Sequence, residues 1–147
     1  CHDPHTSVTY DRTRALHRQC SDCHKDKNMG YHEGRTYVRG DYVEPITCES
    51  CHMPFASRTG SSAVVGESGG RIGDTRTHVF RINTEPVGYT AMYSADLNRV
   101  QKDAQGRAAV TVDYVCLRCH HTGNGYPFKL TVQSASEIAL GIHGFRE

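Results

Sequence analysis

One five-residue pattern, written three times, constrains this chain more than anything else in it. The runs CSDCH ending at His24, CESCH ending at His52 and CLRCH ending at His120 each place two cysteines three apart and a histidine directly after them. The cysteine pairs are Cys20/Cys23, Cys48/Cys51 and Cys116/Cys119. Two thiols at this spacing can add to the two vinyl groups of one haem, while the adjoining imidazole reaches the iron from the proximal side. The pattern is therefore the attachment signature of c-type haem. With ten His in 147 residues, chance places a His after all three pairs with a probability of roughly 0.0003. A zinc knuckle uses two pairs per metal, leaving the third pair and the three histidines without a role, and a disulfide framework needs no histidine.

The rest of the composition agrees with a chain that borrows its core. Only 37% of residues are hydrophobic, there is no Trp, and the mean hydropathy is -0.59, a thin supply for a core built of protein alone. No apolar run is long enough for a transmembrane segment, and 17 Lys+Arg against 16 Asp+Glu provide no basic stripe, so no nucleic acid partner is expected.

The seventh cysteine, Cys1, stands before His2 in the opening run CHDPH. This reads as the second half of a haem motif whose first half lies upstream, giving four haems rather than the three fixed by complete motifs. A lipid-modified N-terminus and a free thiol are the alternatives. Thioether attachment of haem takes place outside the cytoplasm, so a periplasmic or extracellular location is expected for a chain lacking upstream residues.

The expected fold is a single domain over 1–147, mostly irregular, with short helices and a small β-hairpin, organised around stacked covalent c-haems. Asp11 is placed to cap a helix running through Leu16 and His17 to His24. A glycine-broken stretch at 28–41 follows, and 57–73, rich in Gly and Ser, reads as an exposed loop. The runs 78–82 and 109–115 read as β-strands, the second forming a hairpin with 97–100 across a turn at 102–106. Ser134 and Glu137 fit a capping box for a last helix carrying His143.

Six histidines remain once His24, His52, His120 and His2 are set aside: His5, His17, His32, His78, His121 and His143. They are enough to give every iron a second imidazole. His78 on a strand and His143 at a helix end rank first, because rigid elements present a ring best. His17 and His32 follow, His121 can serve only a neighbouring haem, and His5 ranks last. Met29, Met53 and Met92 are read as haem-packing residues rather than ligands.

These residues together resemble a multihaem cytochrome c. The resemblance rests on the three motifs, on Met53-Pro54-Phe55 after the second, on the segment from Gly73 to Thr84 containing Thr77-His78-Val79-Phe80, and on Val112 to Val115 before the last motif. It covers roughly residues 20–145, and it implies electron transfer with His78 and His143 as distal ligands. His120-His121 is similar to the CxxCHH motif of small tetrahaem cytochromes and of polymeric extracellular cytochrome filaments. That second resemblance implies contact with copies of the chain, including a homopolymer with haem ligation between subunits. Other redox proteins are the alternative partners.

The function expected from the sequence is one-electron transport along closely spaced bis-histidine haems by a protein that is not itself an enzyme. A multihaem reductase of a small nitrogen or sulfur oxyanion, with one open iron, is the alternative.

Overall fold

The chain folds as short helices joined by two-stranded pairings in a computed structural model that describes residues 2–8, 10–39, 42–57, 73–96, 98–123 and 126–144. Helix α1 (Arg12–Ala15) starts where the Asp11 side chain accepts from the Arg14 N–H at 3.1 Å. The single helix expected from Asp11 to His24 does not form. Asp3 N–H donates to Ala15 O at 2.8 Å and His2 bridges to Leu16, so the groups a continuing helix needs are already used. Leu16 is extended, and a second helix, α2 (Cys20–Cys23), begins behind Gln19, whose N–H donates to Asp22 Oδ2 at 2.9 Å.

The glycine-broken stretch contains more order than its sequence suggests. A 3-10 turn spans Gly30–His32, and strands β1 (Thr36–Arg39) and β2 (Tyr42–Pro45) pair antiparallel, with Thr36 opposite Pro45. Gly30 has φ +54, and a Cβ there would lie 2.6 Å from Ile142 O. Only glycine permits both that backbone and that approach.

The second motif is helix α3 (Cys48–His52), which Thr47 opens by donating its N–H to Ser50 Oγ at 3.1 Å. Strands β3 (Phe55–Ser57) and β4 (Thr75–Arg76) then pair antiparallel. Between them lie residues 58–72, so most of the loop expected at 57–73 is outside the described residues.

Two strand expectations are corrected. Within 78–82 only Ile82 is in a strand, β5 (Ile82–Asn83), and His78 lies in irregular backbone. There the Thr77 N–H donates to Pro54 O, and the Val79 N–H to Thr77 Oγ1. Strand β6 (Val110–Thr111) pairs in parallel with β5, and the β-branched run after it is helical, α4 (Val112–His120). Thr111 turns the chain by accepting from the Tyr114 N–H at 3.2 Å, and burial of Val112, Tyr114, Val115 and Leu117 outweighs their local strand preference. The hairpin with 97–100 is reduced to single bridges, Tyr93 with Val100 and Lys102 with Ala108. Its turn does form, as the Gly106 N–H donates to Asp103 O and Gly106 adopts φ +75.

The last helix, α5 (Val132–Ala139), begins three residues earlier than its expected box. Thr131 is the cap, exchanging hydrogen bonds with Ser134 at 2.9 and 3.1 Å. It ends before His143, which sits in the following turn rather than on the helix.

The protein-built core is small and centred on α4. Met92, Val110, Tyr114 and Val115 form one buried cluster against Val79, Ile82, Cys51 and Cys116. Val112, Leu117 and Ala135 form a second, where α4 meets α5. Asp113, buried among them, accepts from the Tyr89 N–H at 2.6 Å and so ties the 3-10 turn Tyr89–Met92 to α4. Replacing Asp113 with Ala strands that donor in the interior, and a loss of about 1–3 kcal/mol is expected. Denaturant unfolding followed by far-ultraviolet circular dichroism measures it on the intact protein.

Candidate functional site

Three imidazole pairs stand out in this structure, His2 and His78 exposed and the other four rings half-buried, and each pair joins a motif-type histidine to a spare one. His52 faces His143 with ring centres 5.8 Å apart and planes 14° from parallel. His120 faces His32 at 6.1 Å, and His2 faces His78 at 6.1 Å. Two imidazoles on opposite sides of one metal ion need about this separation: a bond of about 2 Å on each side plus roughly 1 Å from each nitrogen to its ring centre.

Hydrogen bonds fix the tautomer of three of these rings. Nδ1 of His52 donates to Phe80 O at 2.7 Å, Nδ1 of His120 to Phe128 O at 2.8 Å, and Nδ1 of His143 to Asn28 O at 2.8 Å. A carbonyl only accepts, so each Nδ1 carries the proton and each neutral ring keeps its lone pair on Nε2, the atom that binds iron. In the His52–His143 pair both rings are in this state. Burial first, then His120 and Arg35, lower the pKa of His32. The donor chemistry fits haem at His52 with His143 and at His120 with His32, whereas His2 and His78, both exposed, share the ring spacing alone.

The three attachment motifs lie close to one another. Cys48 Sγ is 3.8 Å from Met29 Sδ, and α3 packs on α4, bringing the second and third motifs together. Burial pushes the Cys51 thiol up to about 11 and the Cys116 thiol up to about 12, with Cys51 adding to the latter. Cys20 is raised by burial, then by Glu49 and by Cys48, so the first motif adjoins the second. Among the described residues the six motif cysteines are unpaired with one another, and no three His, Cys, Asp or Glu side chains gather as around a zinc ion. Cys1, the expected half-motif, is outside the described residues.

The remaining histidines are placed elsewhere. His5 is exposed beside Asp3, with Nδ1 3.4 Å from its carboxylate, and His17 and His24 are exposed. His121 takes the opposite tautomer to the paired rings: its Nδ1 accepts from the Gly123 N–H at 3.1 Å, which leaves the proton on a buried, unpartnered Nε2.

Sequence reasoning missed the charges behind the motifs. Arg76 Nη1 donates to the carbonyls of Glu49 and Met53, both at 3.0 Å, closing the end of α3. Its Nη2 reaches Glu44 Oε1 at 2.6 Å, and Arg118, within the third motif, reaches Glu44 Oε2 at 3.5 Å. Arg76 therefore pairs with Glu44, 32 positions earlier in the chain. The carbonyls of Asn28, Phe80 and Phe128 were also unread, because a backbone acceptor leaves no mark on residue type. The one available signal was Phe80 within the Thr77–Phe80 run.

The sequence matches no family profile and no curated protein. Among solved structures, the chain is similar to the octahaem sulfite reductase MccA, form II, of Wolinella succinogenes, with a TM-score of 0.47 and 18% identity. The match covers 84% of this chain, which spans 22% of that protein's length. The neighbour is an enzyme, and the expectation that this chain is not one is withdrawn against it. The physical reason is that covalent attachment and paired imidazoles serve irons inside reductases as well as irons in carriers, so neither feature separates the two. Among the described residues no helix is long and apolar enough to cross a membrane.

Replacing Cys48 and Cys51 together with Ser is expected to lower the covalent haem content by one per chain. The pyridine haemochrome absorbance per mole of protein counts it.

Proposed function

We propose that this chain binds c-type haem covalently at its three complete motifs, and a fourth haem at Cys1 and His2, and moves single electrons among them. The observation that carries the reading is the pairing rule. In all three ring pairs, one partner follows a cysteine in the motif manner and the other is a spare histidine. Iron held between two imidazoles exchanges one electron at a time between its ferric and ferrous forms.

The chain's own residues supply anchors and ligands for such a group. Cysteine pairs on α2, α3 and α4 anchor it, and carbonyls of Asn28, Phe80 and Phe128 set the ligand tautomers. The side chains of Phe80 and Phe128 are exposed in the protein alone, at 57% and 72%, and are suited to cover porphyrin faces. Stacking of the haems is supported by the closeness of successive motifs. Thioether chemistry supports a periplasmic or extracellular setting, with other redox proteins or copies of the chain as partners.

A second reading is favoured by the first motif. Cys20, Cys23 and His24 are all exposed, so an iron bound there is within reach of a small oxyanion, or of a histidine from another copy. In the first case the site works as a reductase, and in the second as a junction within a polymer.

Electron paramagnetic resonance of the oxidised protein tests both. Low-spin signals are expected from the paired sites, and His143→Ala is expected to convert one haem to high spin at unchanged haem content. A parent spectrum without low-spin haem would sink the pairing argument. Sulfite or nitrite that shifts a high-spin component favours the reductase reading, and its loss on concentration favours ligation by a second copy.

A further inference from the structure

The Glu44–Arg76–Arg118 cluster does not balance its own charge. It holds two guanidinium groups and one carboxylate, and it is withdrawn from water: the Arg118 side chain is 4% exposed, Glu44 10% and Arg76 29%. Among the described residues Arg118 Nη1 is buried without a hydrogen-bond partner. Cation–π contacts absorb part of the cost, Arg76 over Phe55 at 4.4 Å and Arg118 over Tyr37 at 5.5 Å. These rings carry no net charge, so among the described residues of the cluster two guanidinium groups stand against one carboxylate, an excess of one positive charge.

The position of the cluster is as telling as its charge. Arg118 is itself a residue of the third motif, directly before Cys119, and Arg76 binds the carbonyls of Glu49 and Met53 at the second. Arg118 also opposes the burial that raises both Cys51 and Cys119, so its field reaches the attachment cysteines of two motifs. The first motif is exposed, where water and salt screen such a field.

We propose that this buried cation raises the reduction potential of the haems at His52 and His120 relative to the haem at His24, so that electrons entering at the exposed end settle on the inner pair. The inference rests on haem being bound at these motifs. A positive charge in a poorly screened interior favours the ferrous state, which carries one charge fewer than the ferric. Glu44, Arg76 and Arg118 are thus positioning residues for charge, touching no iron.

The test is a potentiometric titration of the holoprotein between ferricyanide and dithionite, followed by visible absorbance, after haem content and low-spin character have been checked. Arg118→Met is expected to make reduction of the two inner haems about tenfold less favourable, a downward shift of about 59 mV for one electron. Arg118→Lys keeps the charge and is expected to restore most of the parent curve. Arg76→Met removes the same charge from the other side of Glu44 and should shift the same haems, which covers a fold-damaging outcome at Arg118. Full haem content with an unmoved curve in the Met variants overturns the proposal while leaving haem binding intact, as does a Lys variant shifted as far as Met. A parent protein lacking haem at the second and third motifs overturns the underlying reading instead.

Discussion

Three hydrogen bonds from imidazole Nδ1 to backbone carbonyls govern how this molecule is organised. Each takes a ring that can swivel about two side-chain torsions and holds it in one tautomer. The carbonyls come from far along the chain, Phe80 for His52 and Asn28 for His143, so these bonds also close the tertiary structure. Irregular backbone is consequently not wasted here. A residue in a strand or helix spends its carbonyl on the ladder, whereas Phe80 and Phe128 lie outside regular elements and have theirs free for a ring.

The same logic explains why so little regular structure suffices. The buried apolar residues gather around α4, with Tyr114 at the centre and its hydroxyl donating to Phe55 O at 2.8 Å. Much of the remaining apolar surface points outward, including Val38, Val43, Phe80, Phe128 and Leu140. A chain so poor in apolar residues leaves such surface exposed unless something else covers it, and large planar groups fixed at the motifs are suited to that task.

What could be read from sequence followed from how locally each feature is determined. The cysteine motifs need only neighbours in the chain, and so they were plain. His78 and His143 were singled out as rigidly mounted, and both do lie against motif-type histidines, yet neither is on the element expected to carry it. His78 is held by Thr77 and Pro54, and His143 by a turn beyond α5. The run Val110–Val115 misled because β-branched residues are favoured in strands, while Thr111 capping and burial made the second part helical. The charge cluster was illegible, since Glu44 and Arg118 lie 74 positions apart and only the packed fold brings them together.

The turn around Gly30 has a consequence of its own. Within residues 28–32, Asn28 holds His143 through its carbonyl and accepts the Gly30 N–H on its side chain, while His32 stands against His120. Two separate ring pairs are therefore aligned by a single five-residue piece of backbone, clamped against Ile142 by a glycine that nothing larger can replace. One ring of each pair is thus set by this turn, while the other, His52 or His120, is set by Phe80 or Phe128. A substitution that displaces this piece therefore bears on one ring of each pair at once, so the two sites share a single backbone support.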